Sequence, residues 1–264
     1  MSVQSGVGAR PRSLLLLLFV AAPFAATFAN AQSESAPKTA ADRYFEIQTR
    51  LGSMVIRLSN KTPLHRDNFR KLVSEKFYDG TTFHRVIDGF MIQGGDNFSK
   101  DDDPTNDGYG GPPYTIPAEI DSTLLHTYGA VAAARNGDDV NPKRASSGSQ
   151  FYIVRGQQIP PQMLDQVQAQ IARTHPGFVY PDSIRQVYMT KGGYPPLDMS
   201  YTVFGEVVEG FAVLDSIAAV QTPRKLGSRG PLMDRPLEPV VMTVRELVDY
   251  TPPTPPVQEA PAEQ

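Results

Sequence analysis

The chain has 264 residues, of which 40% are hydrophobic and 20% charged, and its net charge is -3. This composition allows a buried core and excludes a disordered chain, and the lack of a basic excess argues against nucleic acid as a main partner. Cysteine is absent, which excludes disulfides, thiol nucleophiles and thiolate metal sites.

The first 31 residues have the pattern of a secretory signal peptide. Arg10 and Arg12 give a basic start, the apolar run from Leu14 to Val20 follows, and a small-x-small sequence ends at Ala31. A membrane span needs about 20 apolar residues, so an uncleaved anchor is the alternative that we keep open. The pattern predicts cleavage after Ala31 and export to a bacterial periplasm, or otherwise to the extracellular space.

Two further segments are too polar or too rich in proline to bury a core. Residues 32–42 are predicted to be a flexible spacer. Residues 251–264 include five prolines and are predicted to be a disordered tail. The sequence between them, residues 43–250, is predicted to form one domain that carries an insertion at 156–195.

The predicted elements begin with a β-hairpin. Apolar side chains alternate from Arg43 to Arg50 and again from Met54 to Leu58, around a glycine turn. A helix follows from Thr62 to Glu75, with Thr62 as its N-cap and Pro63 as its first residue. Further strands are predicted at 82–87, 91–94, 130–134, 150–154, 202–207 and 239–244. A second amphipathic helix carries Phe211, Leu214, Ile217 and Ala218. Many short strands with two helices indicate a closed sheet with helices at its ends.

The insertion contains one predicted helix, from Gln162 to Thr174, with apolar residues spaced by four. An irregular stretch dotted with aromatic residues is predicted after it, at Phe178, Tyr180, Tyr188 and Tyr194. A packed surface elaboration is the simpler interpretation of this segment, and a role in binding a partner or gating a substrate is the alternative.

Several chemistries find little support in the sequence. The four histidines, His65, His84, His126 and His175, lie far apart without the spacing of a zinc or haem site. The acidic run from Asp101 to Gly108 resembles half a calcium loop but lacks the closing glutamate. A calcium- or carbohydrate-binding β protein therefore remains only a third interpretation.

The most informative stretch runs from Phe83 to Asp96 and is typical of strand, tight turn and strand. A three-residue loop over 88–90 would place Arg85 opposite Gln93 and Ile87 opposite Met91. Arg85, Gln93 and Met91 would then share one face, whereas His84 would point to the other face as a packed core histidine.

This stretch resembles the signature of the cyclophilins, the cyclophilin-type peptidyl-prolyl isomerases, at every position from 83 to 96. The similarity continues at 110–111, 116–119, 147–153, 197–198, 203–207 and 209–210. It covers about Arg43 to Leu247 apart from the insertion. The resemblance implies a mainly β fold, with a closed eight-stranded antiparallel barrel capped by two α-helices and the insertion as an added helical segment.

The resemblance also implies roles for ten residues. Arg85 matches the catalytic arginine of the family, and Gln93 and Gln150 match its polar neighbours. The residues that match the proline pocket are Phe90, Met91, Tyr152 and Leu197. Ala134 and Arg135 match the stretch that flanks the bound peptide, and Tyr201 is a further candidate for the groove.

Several positions in and beside this set depart from the family pattern, among them Ala133-Ala134-Arg135, where the family often has Met-Ala-Asn. Tyr152 stands where phenylalanine is usual, and its hydroxyl needs a partner or water. Pro196 and Tyr201 replace a common tryptophan and a common histidine. The departures bear on substrate preference and rate more than on reaction type.

The reaction that the resemblance implies is rotation about X-Pro bonds in exported proteins, which assists their folding. No bond is broken, so we expect no metal or other cofactor. We expect a monomer that acts on proline-containing polypeptides, without a nucleic-acid partner and without stable membrane insertion after cleavage. The alternative is a non-catalytic peptide-binding or chaperone module on the same fold.

Overall fold

The computed structural model describes residues 42–252. The predicted signal peptide at 1–31 lies outside these residues. Of the predicted spacer at 32–42 only Asp42 is described, and of the predicted tail at 251–264 only the first two residues. Among residues 42–252, no helix is long and apolar enough to cross a membrane.

Ten β-strands and four α-helices lie within residues 42–252. The strands are β1 (Arg43–Thr49), β2 (Gly52–Leu58), β3 (Arg85–Ile87), β4 (Met91–Gly94), β5 (Thr115–Ile116), β6 (Ala130–Ala133), β7 (Ser146–Ser147), β8 (Phe151–Val154), β9 (Val203–Glu209) and β10 (Met242–Leu247). The helices are α1 (Pro63–Ser74), α2 (Pro161–Thr174), α3 (Asp182–Thr190) and α4 (Phe211–Ala218).

Eight of the strands form one antiparallel sheet, in the order β10-β1-β2-β9-β6-β8-β4-β3, and β5 pairs with β7 separately. The predicted hairpin is confirmed as β1 and β2, with Phe45 opposite Ile56 and Ile47 opposite Met54. These four side chains are fully buried, which is why the alternation was visible in the sequence.

The prediction of a closed barrel is wrong, because the sheet is open and curled. Its two edge strands, β3 and β10, form no ladder with each other in the described part of the chain. An isolated bridge between Thr82 and Val241 joins the two ends instead. The segment before β10 accounts for the missing ladder between the two edge strands. Val86 of β3 donates its N–H to the Asp234 carbonyl in this segment (2.8 Å), and the prolines at 236 and 239 lack the N–H that a ladder needs.

Two of the helices, α1 and α4, pack on the sheet as predicted. Phe69 of α1 lies 5.3 Å from the Phe45 ring and 5.7 Å from the Phe151 ring. Glu119, and not the predicted Thr62 side chain, caps α1: its carboxylate accepts the N–H groups of Leu64 (3.0 Å) and His65 (2.9 Å). A carboxylate at this end also complements the helix dipole.

The insertion forms two helices, not one. α2 agrees with the predicted helix at 162–174, but α3 occupies part of the stretch that was predicted to be irregular. Ile184 and Tyr188 are spaced by four, as in a helix, and both face the core of the insertion. The helix was missed because the proline and tyrosine residues of this stretch favoured its interpretation as a loop. The buried residues of this core are Leu125, Ile159, Leu164, Ile171, Tyr180 and Tyr188.

Gly193 joins the base of the insertion to the sheet. It forms isolated bridges with both Thr127 and Gln157, and its φ is 151°. A Cβ atom added at Gly193 would lie 2.5 Å from the His126 carbonyl oxygen and 2.5 Å from the Tyr188 ring. Glycine is therefore required here for the close approach of the two segments.

Gly193→Ala should lower the free energy of unfolding by about 2–4 kcal/mol, because it adds a backbone clash to an unfavourable φ. Gly177→Ala is the control within the same insertion. Its φ is 85°, and no described atom lies within 4 Å of the added Cβ, so only about 1–2 kcal/mol should be lost. Urea unfolding of both variants checks this, and equal losses would contradict the packing argument.

Candidate active site

The turn between β3 and β4 places the arginine of the motif. As predicted, Arg85 lies opposite Gln93 and Ile87 lies opposite Met91. Gly89 takes a φ of 71° in the loop, and Phe90 closes it with an N–H bond to the Ile87 carbonyl (3.1 Å). Strand alternation leaves the Arg85 side chain 44% exposed.

All ten residues predicted for the site line one groove of about 800 Å³. They are Arg85, Phe90, Met91, Gln93, Ala134, Arg135, Gln150, Tyr152, Leu197 and Tyr201. Three strands (β3, β4 and β8), the residues that flank β4, β6 and β8, and the segment just after the insertion supply them, although they span more than 100 positions of the sequence. The groove is open to solvent and can admit an extended peptide.

A chain of side-chain amides holds Arg85. Arg85 Nη1 donates to Gln93 Oε1 (3.1 Å), and Gln93 Nε2 donates to Gln150 Oε1 (3.2 Å). Gln150 Nε2 in turn donates to the carbonyls of Gly108 (2.9 Å) and Gly110 (2.8 Å). A guanidinium carries five N–H donors, so this bond orients Arg85 and leaves other donors for a ligand.

An apolar wall lies beside this polar chain. Met91 and Tyr152 are buried in it, and Phe90, Leu197 and Tyr201 pack against them with part of their surface exposed. Leu197 reaches the wall from a short 3-10 turn, Pro195–Leu197, at the end of the insertion. The wall has the size and character to receive a proline ring next to a cationic donor.

Arg135 is held beside Tyr201 at the groove. Its guanidinium lies 4.2 Å from the Tyr201 ring centroid and pairs with Asp138 (2.6 Å). Its Nε donates to the Ser200 carbonyl (3.0 Å). Ala134 also lines the groove. Its backbone N–H is not free to bind a ligand, because it donates to the Gln150 carbonyl (3.0 Å).

The groove has three exposed large hydrophobic lining residues that were not predicted from the sequence. Tyr109, Tyr114 and Val140 line it and are exposed, and they come from loops that gave no periodic signal. Within residues 42–252, no three histidine or acidic side chains are placed to hold a metal ion. Among the carboxylates of the acidic run, Asp101 accepts from Asp103 N–H (2.8 Å) in a local turn, and Asp107 pairs with Arg235 (2.8 Å).

The partner of the Tyr152 hydroxyl was also not predicted from the sequence. Tyr152 OH lies 2.9 Å from His126 Nε2, and His126 Nδ1 lies 2.8 Å from Asp198 Oδ1. All three side chains are buried, and burial raises the pKa of Tyr152 well above its usual value near 10. His126 gave no sequence signal because its carboxylate partner lies 72 positions away.

A second histidine network is structural. His65 Nδ1 lies 2.7 Å from Glu119 Oε2, and His65 Nε2 lies 2.9 Å from Ser146 Oγ. The arrangement resembles a nucleophile triad, but Ser146 is only 1% exposed, so no substrate can reach it. Burial lowers the pKa of His65.

His84 is buried in the core, opposite in direction to Arg85, and neither of its ring nitrogens has a hydrogen-bond partner among residues 42–252. Burial lowers its pKa, chiefly by desolvation of the charged ring. An unfolded histidine binds a proton below about pH 6.5, so the free energy of unfolding should fall as the pH drops from about 6.5 towards the lowered pKa.

His84→Phe should therefore lose less stability than wild type between pH 7.5 and pH 5, because the phenyl ring fills the space without titrating. His175→Gln, at the partly exposed end of α2, is the matched histidine substitution outside the core. Urea unfolding at both pH values measures the difference, and an unchanged pH dependence in His84→Phe would refute the contribution of this ring.

Comparison with known proteins identifies similar chains. The family described as "Cyclophilin type peptidyl-prolyl cis-trans isomerase/CLD" matches residues 44–246. A Staphylococcus aureus (strain COL) protein named "Putative peptidyl-prolyl cis-trans isomerase" is 36% identical over 200 residues, which cover 74% of this chain and 87% of that protein. A Staphylococcus haemolyticus protein of the same name is 33% identical over 207 residues, with 77% and 90% covered.

Among solved structures, a Cryptosporidium parvum cyclophilin-type peptidyl-prolyl cis-trans isomerase has a similar fold, with a TM-score of 0.55 and 22% identity over 80% of this chain and all of that chain. The same parasite protein in the presence of the dipeptide Ala-Pro gives a TM-score of 0.52, with 76% of this chain and 96% of that chain covered.

Proposed function

The chain belongs to the cyclophilin-type peptidyl-prolyl cis-trans isomerases, and we propose that it accelerates rotation of X-Pro bonds in exported proteins and thereby assists their folding. The observation that supports the assignment of the site is the position of Arg85. Its guanidinium is oriented by Gln93 at the edge of the apolar wall that contains Phe90 and Met91.

The chemistry follows from the nature of the barrier. Rotation about a peptide bond crosses about 18–20 kcal/mol because the amide loses its resonance as it twists. The proline nitrogen then regains its lone pair and accepts a hydrogen bond that neither planar isomer accepts. A donor at this nitrogen therefore binds the transition state more tightly than either ground state. Arg85 would supply that donor, since its guanidinium stays protonated and planar.

The apolar wall would hold the proline ring while the acyl side rotates. Met91, Tyr152, Phe90 and Leu197 offer it a surface that excludes water. Gln150 would hold Gln93 in place rather than bind the peptide, because both of its side-chain N–H groups already donate to the Gly108 and Gly110 carbonyls. Arg135 and Ala134 would flank the peptide backbone, with Tyr201 completing this side. The parasite relative studied with Ala-Pro supports a proline-containing ligand for the groove.

Catalysis of X-Pro rotation by the purified chain tests this function. Protease-free NMR exchange spectroscopy on an Ala-Pro peptide should give an exchange rate that rises in proportion to enzyme concentration. Binding of the peptide without faster exchange would instead establish the non-catalytic peptide-binding module.

Export is a separate part of the proposal and is supported by the sequence pattern of residues 1–31 alone. Expression of the full chain in a bacterium, followed by fractionation, should place the protein in the periplasm or medium with a new N-terminus at Gln32. Retention in the cytoplasm would overturn this part. We also propose a monomer, which sedimentation velocity measures directly.

A further inference from the structure

We infer that the insertion is a positioning element of the proline pocket, which acts on Tyr152 through a buried hydrogen-bond network with His126 and Asp198. This inference rests on the proposed function, because it assigns Tyr152 to the wall that receives the proline ring. It replaces the interpretation of the insertion as a surface elaboration. The network consists of Tyr152, His126, Asp198, Tyr180 and Tyr188, and we refer to it as the tyrosine–histidine–aspartate network.

Asp198 is the centre of this network. Its Oδ1 accepts the backbone N–H of His126 (2.7 Å) and lies 2.8 Å from the His126 ring nitrogen Nδ1. Its Oδ2 accepts the hydroxyls of Tyr180 (2.7 Å) and Tyr188 (2.6 Å). The carboxylate is fully buried, and removing its hydrating water has a large free-energy cost for a charged group. The four donors offset this cost by taking the place of the water.

The direction of each bond follows from the charge at the centre. In a neutral imidazole one ring nitrogen donates and the other accepts, and the nitrogen that faces the carboxylate is the donor, so His126 Nδ1 donates and His126 Nε2 accepts. Tyr152 must then donate its hydroxyl to Nε2, at 2.9 Å. The Tyr152 ring lies nearly parallel to the imidazole, with an interplanar angle of 14°. The network therefore fixes where the ring of Tyr152 stands in the wall.

Two of the four donors to Asp198 come from the insertion. Tyr188 lies on α3 and Tyr180 just before it, and both belong to the separate apolar core of the insertion. Neither ring lines the groove. The hydrogen bonds of these two hydroxyls lead to the groove through Asp198 and His126.

A second contact supports the same connection. Tyr194, at the end of the insertion, lies 4.2 Å from the Phe90 ring centroid and donates its N–H to the His126 carbonyl (2.8 Å). The insertion thus supports both an aromatic residue of the pocket wall and the backbone of the histidine that holds Tyr152. These two contacts attach the end of the insertion to the groove.

A double-mutant cycle on kcat/KM tests the inference. Tyr188→Phe removes one donor to Asp198 without touching the groove, and it should lower kcat/KM by about threefold to tenfold as the Tyr152 ring loses its fixed position. In the Tyr152→Phe background the same change should cost less than about twofold, because the hydroxyl through which it acts is gone. Tyr128→Phe is the matched control: its hydroxyl bonds to Asp215 outside the groove, and kcat/KM should not change.

Each outcome decides the matter. Equal losses in both backgrounds would show that Tyr188 acts through general stability, and no loss in either would show that the insertion is not coupled to the pocket; both overturn the inference. If Tyr188→Phe does not fold, Tyr180→Phe removes the other donor to the same oxygen and takes its place. If wild type binds an Ala-Pro peptide without catalysis, the proposed function fails, and the same cycle is then measured on the peptide Kd.

Discussion

Arg85→Ala should lower kcat/KM for X-Pro rotation by about tenfold to somewhat over a hundredfold. This range is the kinetic equivalent of one charge-assisted hydrogen bond, about 1.5–3 kcal/mol. The loss should fall mainly on kcat, since the bond to the proline nitrogen forms only in the twisted amide. NMR exchange spectroscopy on an Ala-Pro peptide, at several peptide concentrations, measures kcat and kcat/KM.

Two further variants make this prediction specific. Arg85→Lys keeps the charge but loses the planar fork that Gln93 orients, so it should recover only part of the lost rate. Arg245→Ala removes an exposed arginine of β10 that pairs with Glu46 and does not line the groove, and it should keep wild-type kcat/KM. A fall in Arg245→Ala as large as that in Arg85→Ala would show a nonspecific charge effect.

Asp198→Ala should be the most destabilising single substitution in the network, with a loss of about 3–5 kcal/mol in the free energy of unfolding. It leaves the hydroxyls of Tyr180 and Tyr188 and the Nδ1–H of His126 buried without an acceptor. Urea unfolding at pH 7 measures the loss as a lower midpoint.

The control is a carboxylate of the insertion that packs beside the network. Asp165 pairs with Arg185 at 2.7 Å but is 64% exposed, so Asp165→Ala should cost less than about 1 kcal/mol. If Asp198→Ala proved no more destabilising than Asp165→Ala, the carboxylate would not be the charged centre that its four donors indicate.

The local geometry of the motif could be predicted from the sequence because it depends on neighbours in the chain. The pairing of Arg85 with Gln93 needs only strand alternation and a three-residue turn, and the hairpin of β1 and β2 needs only the burial of alternate residues. Both follow from period-two patterns that a single sequence displays.

Features that depend on distant segments could not be predicted. The prediction of a closed barrel failed because the Asp234 carbonyl accepts the N–H of Val86 at the sheet edge. This contact joins segments about 150 positions apart. The partner of the Tyr152 hydroxyl is His126, which only the folded chain brings close. Glu119 caps α1 in place of Thr62 for the same reason, since it reaches the helix from 55 positions away.

The most direct test of the mechanism is a crystal structure of the protein with a short peptide that contains Ala-Pro. We predict that the proline ring lies against Met91, Tyr152, Phe90 and Leu197, with a guanidinium nitrogen of Arg85 within about 4 Å of the prolyl nitrogen. A peptide bound with Arg85 directed away from the prolyl nitrogen, or with its proline ring outside this wall, would contradict the mechanism.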